Sequence, residues 1–286
     1  MENIRQVLIR QGYSDRRGFF ALDNGGSGTP NEAEKVWSKL AQDNPINAAA
    51  ATNETDWYTK YPRLINQEIG NEENIVLDAG CGYGRVAIPL LKTHDKLKLI
   101  GVDASAVMLQ VFLHRIESEN LPEVNQRLIL LHSTIDHLPF PEETFDSIYS
   151  CAVLLHNPYH DVGEIIKECR RVLKPTGKLI LTGSFPNVLN LEGIQNLIYS
   201  QWFAPPNANG PVRAYTREKV QKLFTDWADV AILPTGVTVI PRQVAKMNIP
   251  LGIMVRRLNE WFEKKNSRLL SRSSLFTKFF DVVAKK

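Results

Sequence analysis

Two carboxylates and a run of alternating glycines carry the chemistry of this sequence. Ile75 to Leu91 reads IVLDAGCGYGRVAIPLL: three apolar, β-prone residues, then Asp78, then Gly80, Gly82 and Gly84, then apolar residues at helical spacing. That order is a buried strand, a tight glycine turn and a helix start. Glycine is needed where the backbone takes positive φ or must approach a ligand closely. A helix opening behind such a turn aims free N–H groups back at it. The stretch is therefore a cradle for a small molecule with an anionic part. Asp103 ends a second short apolar strand, KLIGV, nineteen residues after Gly84. A carboxylate at that separation can accept both hydroxyls of a ribose. It could instead cap the helix that begins in ASAVMLQVF, but Ser105 fits that cap better, which leaves Asp103 for the ligand. A dinucleotide turn of the G-x-G-x-x-G type would put its third glycine one position later, where Arg85 stands.

The pattern D-x-G-x-G-x-G within VLDAGCGYG resembles motif I of the class I S-adenosylmethionine-dependent methyltransferases, and VDASAVML resembles their motif II. HSTIDHLPFPEETFDSIYS is similar to the "gDaexLPFpdxsFDxV" segment of the ubiquinone-biosynthesis-like (type 11) branch, and ECRRVLKPTGKL to its "E-x-x-R-V-L-K-P-G-G-x-L" segment. The resemblance covers Ile75 to Leu181 firmly and the remainder loosely. It implies an α/β, Rossmann-like, seven-stranded and mostly parallel sheet with helices on both faces. The last strand would be antiparallel, with a helical insertion before it. The implied cofactor is S-adenosyl-L-methionine, lying across the carboxyl ends of the first strands.

Carried over position by position, the resemblance assigns cofactor contacts to Asp78, Ala79, Gly80, Cys81, Gly82 and Gly84 in motif I. Asp103, Ala104, Ser105 and Met108 follow in motif II, with Met108 near the adenine. Where the family commonly has an acidic residue contacting the adenine amino group, this chain has Thr134. The contact falls to Thr134, to Asp136 two places later, or to the backbone of Ile135. Cys151 closes the set at the end of the fourth strand. Glu168, Arg171 and Lys174 read as structural.

His156 follows the fourth strand, where side chains would face a transferring methyl group. It is either a core histidine or a general base, since unperturbed histidine titrates near neutral pH. Tyr58, Tyr61, His156, Tyr159 and Arg213 are the candidate acceptor-binding residues. Trp57, Tyr58 and Tyr61 fall on one helical face just before motif I, which is either packing or a lid. Asn157-Pro158-Tyr159 lacks the second proline of the N-P-P-Y signature of amino-group nucleic-acid methyltransferases.

The 286 residues, 43% hydrophobic and 23% charged, describe an ordinary globular chain long enough for one large domain with an appended lobe. A net charge of +3 creates no global field demanding nucleic acid. Three cysteines make no C-x-x-C and no paired framework, which predicts a reducing compartment and no structural zinc. With no signal-like N-terminus and no apolar run of membrane-spanning length, the expected location is cytoplasmic. No metal site is visible.

The chain divides into four expected parts. Residues 1–51 form an N-terminal extension or lid, broken by DNGGSGTP. Ile4, Val7 and Leu8 could line a short helix there, and Asn31 to Gln42 reads as a capped helix with Val36, Trp37 and Leu40 inward. Residues 52–240 form the cofactor-binding core. Residues 241–275 form a basic helical insertion near the acceptor site, and residues 276–286 the closing strand. From Arg242 to Lys286, eleven Lys or Arg stand against three Asp or Glu.

The expected function is methyl transfer to a small-molecule acceptor, through an O, N or C nucleophile, the acceptor being anionic or membrane-associated. The alternatives are an RNA or other nucleic-acid methyltransferase, for which no concentrated basic face is legible outside the C-terminal segment, and a cofactor-binding protein without transfer activity. Contact with membrane would be peripheral at most.

Overall fold

A computed structural model describes residues 1–23, 35, 37–39, 42, 63–70, 72, 74–119, 121, 124–190, 194, 212–237, 250, 252–255, 257–258, 261–262 and 275–286. Helix α1 (Glu2–Arg10) opens the chain, followed by the short strands β1 (Tyr13–Asp15) and β2 (Phe20–Leu22). Residues 63–69 are helical. Strands and helices then alternate: β3 (Ile75–Ala79), α2 (Ala87–Thr93), β4 (Lys98–Asp103), α3 (Ala106–Glu119), α4 (Val124–Arg127), β5 (Leu128–His132) and β6 (Phe145–Cys151). After a 3₁₀ turn at Leu154–His156 come α5 (Tyr159–Val172), β7 (Leu173–Pro186), α6 (Arg217–Lys222), β8 (Asp229–Val237) and β9 (Thr277–Lys285).

The described strands form one nine-stranded sheet in the order β1-β2-β5-β4-β3-β6-β7-β9-β8. β9 runs antiparallel to both β7 and β8, as the sequence predicts for its last strand. β2, β5, β4, β3, β6 and β7 pair in parallel. The expected count of seven is corrected to nine. The two additional strands are a hairpin, Tyr13 opposite Leu22 and Asp15 opposite Phe20, added to the β5 edge through Phe20 and Leu131. Each is three residues long, too short for alternation of apolar and polar residues to be read. Their turn is set locally: the Gly18 N–H donates to Asp15 Oδ1 at 2.7 Å.

The parallel strands are apolar on both faces, as a sheet covered on both sides requires. Alternate residues separate into two cores. Leu77, Ala79, Ile100, Val102, Ile129 and Leu131 pack with α1, α5 and α6. Val76, Leu99, Leu128, Leu130 and Tyr149 pack with α2, α3 and the helical residues 63–69. Residues 1–22 thus contribute Ile4, Leu8, Tyr13 and Phe20 to the first core.

The K-P-T-G stretch, Lys174 to Gly177, whose proline and glycine predict a turn ahead of the strand, lies within β7 instead. Phe145 pairs with Leu173 and Ser147 with Lys178, so the extra residues are absorbed as an irregularity in register. Glu168 and Arg171 brace the neighbouring loop: the Leu138 N–H donates to Glu168 Oε1, and Arg171 donates to Glu168 and to the carbonyls of Leu138 and Phe140. Lys174 pairs with Asp146 at 2.7 Å.

Candidate functional site

Because β3, β4, β5 and β6 are parallel and adjacent, Ala79, Asp103, His132 and Cys151 come to one edge of the sheet. Gly80, Gly82 and Gly84 all adopt positive φ, at 87°, 52° and 78°. They differ in what faces them. A Cβ on Gly80 would meet Val153 at 2.4 Å, and one on Gly84 would meet Phe112 at 2.2 Å; one on Gly82 would meet nothing within 4 Å. Gly80 and Gly84 are therefore required by the packing of the protein against itself. Gly82 faces open space, the place a ligand would take.

Asp103 lies across from this opening. Its Oδ2 accepts from the Gly82 N–H and its Oδ1 from the Ser105 N–H, both at 2.8 Å. Burial pushes its carboxyl up, opposed by those two N–H groups and by His132 nearby. Each oxygen accepts from one donor among the described residues, which leaves lone pairs for two hydroxyls. Ser105 takes the cap role that the sequence assigns to it, its Oγ accepting from the Met108 N–H at 3.3 Å. Ala104 is held by its carbonyl, 3.0 Å from His132 Nε2. Met108 and Tyr83 form a small buried cluster, with Trp37 packed against it.

Asp78 is buried at the end of β3, where Tyr149 Oη donates to its Oδ2 at 2.7 Å. Burial raises its pKa to about 7; the Tyr149 hydrogen bond and the nearby Arg85 oppose that rise, and Asp103 adds to it. Ala79 accepts from Ser150 Oγ at 2.7 Å. Cys81 and Cys151 are buried, and Arg85 Nη2 lies 3.3 Å from Cys151 Sγ. At the end of β5, Thr134 and Ile135 are half-buried while Asp136 is exposed.

Among the residues expected to bind the acceptor, His156 is 8% exposed, its ring edge to face with the indole of Trp37. Arg213 binds the same turn: its Nη1 donates to the His156 carbonyl and its backbone N–H to the Leu155 carbonyl, both at 2.8 Å. Tyr159 is 46% exposed and turned toward the entry of α6. Its hydroxyl donates to the Ala214 carbonyl at 2.6 Å, its ring packs on Tyr215, and Lys219 Nζ lies 4.7 Å from the ring centre. The structure thus brings together Asp78, the glycine turn, Asp103, Ser105 and Met108, and separately His156 with Arg213. Tyr58 and Tyr61 lie outside the described residues.

Three residues packed against the candidate site escape the sequence reading. Trp37 has an apolar position in NEAEKVWSKLAQ but nothing local says what it covers. Its neighbour Ser38 hydrogen-bonds Ser105 Oγ at 3.2 Å. Tyr149 reads as one residue of a buried strand, and Arg85 as the first residue of a helix. Their common signal is a polar or aromatic group inside an otherwise apolar motif. Among the described residues no group of His, Cys, Asp and Glu could hold a metal ion.

The cleft fits the S-adenosylmethionine that the resemblance implies. It offers an open face at Gly82, acceptor oxygens on Asp103 and an apolar floor at Met108. Residues 77–181 match the family model for a methyltransferase domain. The erythromycin 3''-O-methyltransferase of Saccharopolyspora erythraea is 32% identical over 137 residues, 45% of this chain and 43% of that protein. The demethylmenaquinone methyltransferase of Bacillus cereus is 32% identical over 138 residues, 48% of this chain and 54% of that protein. The chain spans about half the length of these curated relatives. Among solved structures, the 1,6-didemethyltoxoflavin-N1-methyltransferase of Burkholderia thailandensis, with its bound substrate and S-adenosylhomocysteine, has the same fold. It superposes with a TM-score of 0.52 at 15% identity, covering 91% of either chain. Strand order and glycine turn agree with that match, in which residues 77–181 answer the description of a methyltransferase domain.

Proposed function

We propose that this protein transfers a methyl group from S-adenosylmethionine to a small-molecule acceptor by direct displacement. The observation that carries the reading is the opening at Gly82 with Asp103 across from it. When bound, the sulfonium supplies an activated methyl and is its own leaving group. Asp103 would hold the ribose hydroxyls, and the glycine turn and helix α2 would take the amino-acid end. Met108, with Thr134 and Ile135, would border the adenine; Asp136, exposed, is the weaker of the three candidates there. The protein's own work is alignment and exclusion of water. His156 would take the proton of an alcohol or phenol, and its position beside Arg213 after the fourth parallel strand supports that role.

Residues 52–240 and 276–286 would form the transferase core and residues 241–275 a cover on the acceptor side. Within the first 51 residues, the lid role is assigned to the segment carrying Trp37. The basic composition of residues 242–275, eight Lys or Arg against two Asp or Glu, supports an acceptor with negative charge. Three unpaired, buried cysteines support a cytoplasmic setting. No described helix is long and apolar enough to cross a membrane.

The test is calorimetric titration with S-adenosylmethionine, then a homocysteine-forming turnover assay with small-molecule pools and with RNA. Binding and turnover with small molecules support the reading. Turnover only with RNA would move the acceptor to nucleic acid, and binding without turnover would leave a cofactor-binding protein.

A further inference from the structure

The described residues between 250 and 262 are helical, with one side turned into the protein and an apolar side turned out. Gly252 and Val255 are buried, Val255 at 2% exposure. On the other side Ile253, Met254 and Trp261 are exposed at 43%, 52% and 48%. With Pro250, Arg257 and Leu258 they line an open groove of about 530 Å³. Positions 250, 253, 254, 257, 258 and 261 follow the i, i+3, i+4, i+7, i+8, i+11 spacing of a single helical stripe. A helix already anchored through its inner side has no need of an outer apolar stripe; solvent-facing positions are ordinarily polar.

What covers the stripe is indicated by its surroundings. The segment 242–275 carries eight Lys or Arg against two Asp or Glu. An apolar stripe holding a tryptophan, set in a cationic segment, is the arrangement of helices that lie in the interface of an anionic bilayer. Tryptophan is favoured at that depth because its ring is apolar and its N–H polar. Arg257 lies within the stripe and can extend its stem along it with the guanidinium at the phosphates. We propose that residues 250–262 dock this protein on an anionic lipid surface. Ile253, Met254 and Trp261 enter the boundary between headgroups and acyl chains, and Arg257 faces lipid phosphate. This inference does not depend on the methyltransferase reading.

The experiment is co-sedimentation of the full chain with vesicles of phosphatidylcholine alone and of phosphatidylcholine mixed with phosphatidylglycerol. Binding is expected only to the mixed vesicles, weakening as salt rises from about 0.05 to about 0.5 M. The triple variant Ile253→Ser, Met254→Ser, Trp261→Ser should lose binding by about tenfold or more, since it removes most of the apolar contact. Arg257→Gln should lose less. Because all four side chains are exposed, circular dichroism and cofactor affinity should match the wild type, which separates loss of docking from loss of fold. A blue shift of tryptophan emission on vesicle binding should shrink in Trp261→Phe. Failure of the wild type to bind mixed vesicles, or equal binding by the triple variant, overturns the proposal. So does a wild-type dimer that the triple variant converts to monomer, which would assign the stripe to self-association.

Discussion

The indole of Trp37 meets the imidazole of His156 edge to face, ring centres 5.0 Å apart and planes inclined at 72°. The same indole packs against the small cluster formed by Tyr83, between two glycines of the turn, and Met108 in α3. One side chain therefore joins the glycine-turn residues to the turn that carries His156. Trp37→Ala should raise the acceptor's KM about fivefold, corresponding to an aromatic contact of about 1 kcal/mol. Trp37→Phe should recover most of that. A KM unchanged in Trp37→Ala would show that the contact only fills space.

His156 itself should affect the chemical step. His156→Ala is expected to lower kcat about 100-fold while leaving S-adenosylmethionine affinity within experimental error. Single-turnover kinetics would separate this from slow product release. An unchanged rate would mean that the acceptor loses its proton without this imidazole.

Asp103 offers a second separation of roles. Asp103→Ala should weaken S-adenosylmethionine binding by about 1.5–3 kcal/mol, the scale of hydrogen bonds to a charged group. Since Asp103 also ties the Gly82 and Ser105 N–H groups, part of that loss would come from a looser turn. Asp103→Asn, which keeps one acceptor oxygen, should fall between. Calorimetry giving wild-type affinity for a folded Asp103→Ala protein would remove this carboxylate from the site.

The three glycines should answer differently to substitution. Gly80→Ala and Gly84→Ala drive a Cβ into Val153 and Phe112 and should lower the melting temperature. Gly82→Val meets open space, and its fold cost is limited to the positive φ, about 1–2 kcal/mol. Its main effect should be loss of cofactor binding. The pattern fails if Gly82→Val binds as the wild type does.

Asp78 predicts a pH dependence of stability. Its folded pKa is about 7 against an ordinary value of 3.8, so between those pH values the folded protein keeps a proton that the unfolded chain has lost. The contribution of this group to stability is then greatest at low pH and falls as pH rises toward 7. The slope per such group is about 1.4 kcal/mol per pH unit. Asp281, buried and likewise raised to about 7, adds to the same slope. Asp78→Asn keeps an acceptor for Tyr149 and should flatten the slope by about one proton in urea unfolding between about pH 4.5 and 6.5. An identical slope in wild type and variant would contradict the shift.

Local patterns made the centre of this molecule legible. The strand before Asp78, the strand ending at Asp103, the Ser105 cap and the antiparallel FTKFFDVVAKK strand all follow from periodicity, turn chemistry or a close motif. Long-range packing was not legible. Tyr13 to Leu22 becomes a sheet edge only because β5 offers Leu131 to Phe20. Trp37 reaches His156 across well over one hundred residues of chain, and no spacing in its own helix points there. The K-P-T-G stretch reads as a turn because proline and glycine usually make one, yet register with β6 keeps it inside β7.

Placement of β9 between β7 and β8 has a consequence for biosynthesis. The matched methyltransferase span stops at residue 181, part-way along β7, while β7's outward partner begins at Thr277. As the chain emerges, β7 and β8 are made first, and the strand that must separate them follows only after about 40 further residues. Until then β7 presents bare backbone donors and acceptors, a template on which another nascent chain could pair. The matched span is thus shorter than the unit that can fold. Attempts to express residues 77–181 alone should yield aggregate rather than a minimal enzyme.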